Sequence, residues 1–340
     1  MHFVSVSNMA QWVAATGPEA VIAGMTDALE RDFRRWPQFE KTPRLASHSD
    51  VGVIELMPTT DGEQYAFKYV NGHPGNPRHG LQTVSAFGVL ADVFTGYPTF
   101  ISEMTLLTAL RTAATSALAA RWLAPRGAEV MAMIGAGSQA EFQALGVRSQ
   151  LGVHRLRVFD VDPQACTKLV RNLRPQGFDV EIVDSPAQAV RGAQIVTTCT
   201  ADKANATVLH RADVHPGVHI NAVGGDCPGK TELDPAIVAG ADVFVEYPEQ
   251  TRIEGEIQLQ PPTFPVTELW RVIAGERPGR VGPERTTVFD SVGFAIEDFT
   301  ALAYVREAVT GTRFAEQIDL IAGPDDPKDL FGMLGSPVPA

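Results

Sequence analysis

One short run, Gly135-Ala-Gly-Ser-Gln-Ala140, constrains this chain more than any other. It follows the apolar stretch Val130-Met-Ala-Met-Ile134 and opens a segment with helical periodicity, Gln139–Leu151. Gly-x-Gly-x-x-Ala between a strand and a helix is the fingerprint of a dinucleotide-binding βαβ unit. Gly135 makes the tight turn, Gly137 lets the backbone approach a pyrophosphate, and the small third residue lets helix and strand pack closely. The helix N-terminus offers free N–H groups and a positive dipole to phosphates. The next predicted strand ends at Asp160. A carboxylate there accepts hydrogen bonds from a ribose and repels a 2′-phosphate, which favours NAD over NADP. The competing reading is a plain glycine-rich turn with Asp160 as a helix cap.

The rest of the chain fits such a unit into a larger frame. Strands are predicted at Glu129–Ile134, Leu156–Asp160, Val180–Val183, Gln194–Cys199, Val218–Ala222, Asp242–Glu246 and Thr286–Asp290, with helices between several of them, clearest at Gln139–Leu151 and Pro163–Leu173. Continuous apolar strands alternating with helices indicate a buried parallel sheet. The first hundred residues read differently. Apolar runs at Val51–Met57, Tyr65–Val70 and Thr83–Leu90, separated by turn residues, predict a mostly antiparallel or mixed sheet without intervening helices. An Ala-rich helix follows from Leu106 to about Pro125, and a last helix covers Ala295–Val309. The expected fold is α/β: a Rossmann-type doubly wound parallel sheet (116–295) joined to an α+β domain (1–115) on which residues 296–340 fold back.

Composition removes several functions. There are 340 residues, enough for about two domains. Forty acidic residues against 28 basic ones give a net charge of −12, which argues against a nucleic-acid footprint or an anionic-lipid surface. Cys166, Cys199 and Cys227 are too few and too scattered for a disulfide framework. Met1–Ala20 has no basic n-region or apolar h-region and no run approaches roughly 18 apolar residues, so neither a leader nor a spanning helix is expected. A soluble cytoplasmic protein is expected.

Several residues could carry chemistry. The run Val218–Glu232 takes a buried strand into Gly224-Gly225 and presents Asp226 and Lys230 at the strand's carboxyl end, where open α/β sheets bind ligands. Asp226 is either a general acid/base or the first residue of an Asx turn. Gly225-Asp-Cys-Pro-Gly229 mimics a nucleophile elbow, but Pro228 and the lack of a His partner leave Cys227 inert. Arg44, Lys68 and Arg111 stand in or beside predicted strands and a helix, as surface charges or as an anion site. Lys68, between Phe67 and Tyr69, points to the face opposite theirs. Glu55, within Val-Ile-Glu-Leu-Met, could meet a cation. His210, His215 and His219 are interrupted by Pro216-Gly217, so no metal site is expected.

Lys68-Tyr-Val-Asn-Gly-His-Pro74, Ala109–Ser116, Ile134–Gln139, Asn221–Leu233, Thr251-Arg-Ile-Glu-Gly-Glu-Ile257 and Val288–Phe294 closely resemble the ornithine cyclodeaminase/mu-crystallin family, and the resemblance runs to about residue 330. It implies a homodimer, each subunit joining a substrate-binding and dimerisation domain to a Rossmann domain that holds NAD. It implies that Arg44, Lys68 and Arg111 bind the carboxylate of an amino-acid substrate, that Val292 contacts the substrate and that Glu55 meets its distal ammonium. Asp226, with Lys68 beside it, would be catalytic. Thr83, Arg111, Thr112, Gly135, Gly137, Ser138, Gln139, Asp160, Thr200, Val223, Gly224, Gly225, Asp226, Lys230 and Ser291 would line NAD. The implied reaction is L-ornithine to L-proline plus ammonia. Lysine cyclisation, amino-acid dehydrogenation, imine reduction and non-enzymatic ligand binding occur in the same family. Retention of Lys68, Arg111 and Asp226 argues for catalysis.

Overall fold

The computed structural model describes residues 1–201, 206–225 and 227–335. The chain begins with β1 (His2–Val4), α1 (Val6–Thr16) and α2 (Pro18–Arg34), then β2 (Leu45–Ser49), β3 (Gly52–Thr60), β4 (Gln64–Gly72), β5 (Val84–Asp92) and β6 (Pro98–Glu103). The long helix α3 (Thr105–Leu123) leads to β7 (Val130–Ile134), α4 (Ala140–Leu151), β8 (Arg155–Phe159), α5 (Pro163–Leu173), β9 (Asp179–Ile182), α6 (Pro186–Val190), β10 (Ile195–Thr198) and β11 (His219–Ala222). Next come α7 (Pro235–Gly240), β12 (Asp242–Val245), α8 (Pro248–Glu254), β13 (Thr267–Glu268) and α9 (Leu269–Ile273). The last elements are β14 (Thr287–Asp290), α10 (Ala295–Val309) and β15 (Glu316–Gln317).

No α-helix intervenes between β2 and β5, as expected, but two helices not expected from the sequence precede these strands. Ser5 caps α1, its hydroxyl accepting from Asn8 N at 3.2 Å. Gly17 ends that helix, and Pro18 opens α2 at a position where a missing N–H costs nothing. Along α2, Val21, Ile22, Met25, Leu29 and Phe33 recur at helical spacing and are all buried.

Among the described residues, eight strands form a wholly parallel sheet in the order β13-β12-β14-β11-β10-β7-β8-β9. The chain winds outward through β7, β8 and β9, then returns so that β10 pairs with the other side of β7. This reversal is the topological switch point, where open α/β sheets form their ligand crevice. β7, β10, β11 and β14 are buried along their whole length; β7 is apolar throughout, whereas β10, β11 and β14 also bury polar residues such as Thr197, Asn221 and Asp290.

Seven strands form a second, mixed sheet in the order β15-β1-β6-β5-β4-β3-β2, antiparallel apart from the β1–β6 pair. Its two faces depart from a simple apolar-in pattern. Lys68 shares the buried face with Ala66 and Val70, and Glu55 shares it with Val53 and Met57. Phe67, Tyr69 and Phe87 lie on the other face, with Tyr69 stacked on Phe87 at 5.2 Å. The aromatic side of the sheet is therefore the outer one, and the charged groups point inward. α10 covers the inner face of β3, β4 and β5, flanked by α2 and α3.

One hydrophobic core runs continuously from Val4, Leu29 and Phe100 through α3 to Met131, Leu156 and Phe244. A second cluster fills the opposite face of the parallel sheet. α3 and α4 approach so closely that a Cβ at Gly146 would lie 2.7 Å from the carbonyl oxygen of Ala113. Backbone cannot yield there as a flexible side chain would. Gly146→Ala should lower stability by about 1–3 kcal/mol, as overpacking does. Denaturant unfolding checks this, and an unchanged midpoint would show that α4 can slide on α3 at no cost.

Candidate active site

The crevice opens where β7 and β10 part. The last ladder bond between them is Cys199 N to Ile134 O, 2.9 Å. Gly135 follows with φ +101, and a Cβ there would fall 2.8 Å from the Cys199 backbone carbonyl, so conformation and space both demand glycine. Ala136 N donates to Asp160 Oδ2 at 2.6 Å, and Asp162 N donates to Asp160 Oδ1 at 2.8 Å. Asp160 thus ties the glycine loop to the end of β8, and the cap of α5 is Asp162, which accepts from Gln164 N at 2.8 Å. No side chain caps the N-terminus of α4, and Gln139 Oε1 is buried without a partner.

The ends of β10, β11 and β14 lie in step beside this crevice. Val223 N donates to Thr198 O, and Ser291 N donates to Ala222 O, both at 3.0 Å. Ser291 Oγ donates to the buried carboxylate of Glu246 at 2.8 Å.

Arg44 and Arg111 meet at the turn Ser291-Val292-Gly293, and Lys68 joins Arg111 on Asp298. Arg44 donates through Nη2 to the carbonyls of Val292 (2.7 Å) and Gly293 (2.8 Å), and through Nη1 to Glu55 Oε2 (3.1 Å). Its Nε lies 3.2 Å from Glu254 Oε2. Arg111, on α3, donates to Glu297 at 2.7 Å and lies 3.0 Å from Asp298 Oδ1. A Cβ at Gly293 would stand 2.6 Å from the Arg111 guanidinium, so backbone and cation are nearly in contact. Lys68, only 1% exposed, donates to Asp298 Oδ1 at 2.8 Å.

Burial dominates the electrostatics. It brings the Lys68 ammonium down to about 8, with Arg111 adding repulsion, while Asp298 opposes both. It pushes Glu297 up to about 8 against the pull of Arg111, and raises Glu246 as well. The arrangement is a dry cationic nest with its counter-charges built in, set against a nucleotide-type crevice.

A family model for the ornithine cyclodeaminase/mu-crystallin family matches residues 6–313. The chain belongs to that family. The ornithine cyclodeaminase of Brucella suis biovar 1 is 60% identical over 332 residues, 98% of this chain and 93% of that protein. Among solved structures, a lysine cyclodeaminase described as recognising L-lysine, L-ornithine and L-2,4-diaminobutyric acid superposes with a TM-score of 0.90 at 31% identity, covering 97% of this chain and 98% of that one. An archaeal alanine dehydrogenase dimer with bound NAD gives 0.86 at 29% identity, covering 94% and 100%.

In this member of the family, Arg44, Glu55, Lys68, Arg111, Ser291 and Val292 come together as described. Thr112 is buried beside Arg111 on α3. Gly137 and Ser138 are exposed at the mouth of the crevice. Thr200, Val223, Gly224, Gly225 and the buried Lys230 lie on the segments that leave β10 and β11. Thr83 takes no part in this convergence; it is half-buried before β5, where its carbonyl accepts from His73 N at 2.9 Å. Asp226 lies outside the described residues. Gly224 and Gly225 both have negative φ, and the backbone bends at Gly224. Glu246, Gln250, Glu254, Glu297 and Asp298 were not anticipated. The available signal was an adjacent acidic pair, Glu297-Asp298, on an otherwise apolar helix.

The Lys68–Asp298 pair is open to a double-mutant cycle. Lys68→Met and Asp298→Asn should each cost about 3–5 kcal/mol by stranding a buried charge, and the double variant should lose less than the sum. Additive losses would mean that neither charge depends on the other.

Proposed function

We propose that this chain is an NAD-dependent ornithine cyclodeaminase that converts L-ornithine to L-proline and ammonia. The observation that carries the reading is the pairing of Arg44 and Arg111 at the Ser291–Gly293 turn, with Lys68 joined to Arg111 through Asp298, at the carboxyl edge of a parallel sheet whose switch point holds the glycine fingerprint. This arrangement supports an amino-acid carboxylate held beside a dinucleotide. The Brucella relative, about twice as identical as the lysine-acting one, favours ornithine.

The residues present fit the cofactor. Gly135 lets the loop pass close over Cys199, the space beside Gly137 is open, the N-terminus of α4 has no side-chain cap and would receive phosphate, and Asp160 keeps accepting capacity for a ribose after its two backbone contacts. NAD, when bound, accepts hydride from the substrate Cα and returns it. The chain's own residues do the rest. Arg44, Lys68 and Arg111 hold the α-carboxylate, Val292 packs against the substrate, and Glu55 takes the distal ammonium. Asp226 moves a proton at the α-nitrogen. Held in this way, the δ-amine is close enough to Cα for ring closure to be intramolecular, and the α-nitrogen leaves as ammonia. Residues 1–115 with 296–340 form the substrate and dimerisation unit and 116–295 the NAD unit. The protein works as a cytoplasmic homodimer. The outer sheet face, with Ile54, Leu56, Tyr65 and Phe87 exposed, supports pairing with a second copy. Among the described residues no helix is long and apolar enough to cross a membrane.

Isotopic labelling tests the reaction. Ornithine deuterated at Cα should yield proline that keeps its deuterium at C2, and δ-¹⁵N ornithine should yield labelled proline and unlabelled ammonia. Stoichiometric NADH with an oxo acid would indicate a dehydrogenase instead, and absence of turnover a binding protein.

The pH dependence follows from Lys68. Below about 8 its ammonium is charged and attracts the carboxylate, and above that it is a neutral amine. KM for ornithine should therefore rise as pH passes 8, with kcat less affected. A KM that stays flat across pH 8 would remove Lys68 from carboxylate binding.

A further inference from the structure

Arg44 stands where the mixed sheet offers least support. It precedes β2, the outermost strand, whose five residues are all exposed and whose first ladder pair is Leu45 with Leu56. Residues 40–44 lie outside any helix or strand. The guanidinium at the end of this irregular stretch nonetheless meets two carbonyls of the turn after β14.

Gln250 supplies the missing support. Its Oε1 accepts from Arg44 N at 2.7 Å, across 206 residues of chain, and its Nε2 donates to Glu254 Oε2 at 2.5 Å. That same Glu254 oxygen lies 3.2 Å from Arg44 Nε. One amide, only 1% exposed, therefore holds Arg44 at its backbone and, through Glu254, at its guanidinium. The residue type suits both tasks, because an amide carries an acceptor and a donor on one carbon. A carboxylate in its place would face Glu254 with like charge, and an apolar side chain would make neither bond.

Gln250 is itself well fixed. It lies on α8, which Pro248 opens directly after β12 and Tyr247. The Tyr247 ring packs on Phe294 at 4.8 Å, and Phe294 follows Gly293. The helix that carries Gln250 and the turn that Arg44 grips thus share an anchor. Gln250 refers Arg44 to the parallel sheet and not to the exposed edge from which its backbone comes.

We propose that Gln250 is a positioning residue for substrate binding: by holding the Arg44 backbone and turning Glu254 against the guanidinium, it sets the placement from which Arg44 receives the amino-acid carboxylate. This rests on the reading of Arg44 as a carboxylate-binding residue. Gln250 acts through Arg44 and needs no contact of its own with substrate or cofactor.

The test uses the full chain with NAD and ornithine, with folded enzyme counted by NAD binding. Gln250→Met keeps the length of the side chain and removes both hydrogen bonds. It should raise KM for ornithine by about 5- to 30-fold, the scale of one or two lost hydrogen bonds. Turnover should stay within about threefold of wild type, the pattern left when binding common to ground and transition states is lost. The NAD dissociation constant, read by fluorescence titration, should stay within about twofold, because the groups proposed to bind it are untouched. Gln250→Glu keeps the acceptor for Arg44 N and loses the donor to Glu254. It should show the same split, and it carries the test if Gln250→Met fails to fold. In an Arg44→Ala background, Gln250→Met should raise KM by less than about twofold, since the group it positions is already gone. Unchanged KM with only a lower melting temperature would make Gln250 merely structural and overturn the proposal. So would a loss confined to kcat, a parallel loss of NAD affinity, or an equal penalty with and without the Arg44 side chain. Arg44→Ala alone separates the two layers of argument. If it leaves KM for ornithine unchanged, the carboxylate-binding reading falls and the proposal with it. If it raises KM while the Gln250 variants do not, only the positioning role falls.

Discussion

The site depends on keeping Lys68 and Arg111 charged in a place that water does not reach. A buried cation without a partner costs several kcal/mol, so the fold must bring carboxylates to meet them. Glu297 and Asp298 do this from α10, with Asp298 lying 230 residues along the chain from Lys68. The apolar side chains Ile296, Phe299 and Leu302 would be buried by many placements of that helix. The acidic pair in its first turn allows far fewer, because that turn must reach the guanidinium of Arg111. The same turn is the positive end of the helix dipole, which also favours carboxylates there. Electrostatics thus selects one packing among those that burial alone would permit.

Arg44 shows the same economy at the edge of the nest. One guanidinium fastens the Val292–Gly293 backbone, engages Glu55 from the sheet and lies against Glu254 from α8. The planar fork of arginine makes such three-way fastening possible, and a lysine could not reproduce it. The turn after β14 is consequently held to the mixed sheet by hydrogen bonds to its own carbonyls.

The parallel sheet was largely legible in the sequence. Its central strands are buried on both faces and rich in apolar residues, so their limits fall within a residue or two of those expected. α10 and α5 were legible from end to end for the same kind of reason, a clear period and clear stops. α1 and α2 were not, although Ser5 and the Gly17-Pro18 junction mark their ends. Their apolar residues are interleaved with small ones that blur the period. Lys68 stood out as odd, but the rule that aromatic residues point inward gives the wrong face when the outer face is itself apolar. Arg44, Lys68 and Arg111 were visible one by one. The carboxylates that answer them were not, because a counter-charge is defined by a partner far along the chain.

α3 belongs to both halves of the molecule. Its first turn is capped by Glu103, whose carboxylate accepts from the N–H groups of Thr105, Leu106 and Leu107 beside the mixed sheet. Its last residue, Leu123, accepts through its carbonyl from Thr287 on β14 of the parallel sheet. Arg111 and Thr112 sit between, in a buried and unbroken helix. The helix is a ruler laid across the molecule. Any bending between the two sheets would have to occur at the ends of this helix and not within it, so the distance from the Glu103 cap to the Leu123 carbonyl is set once, when the chain folds.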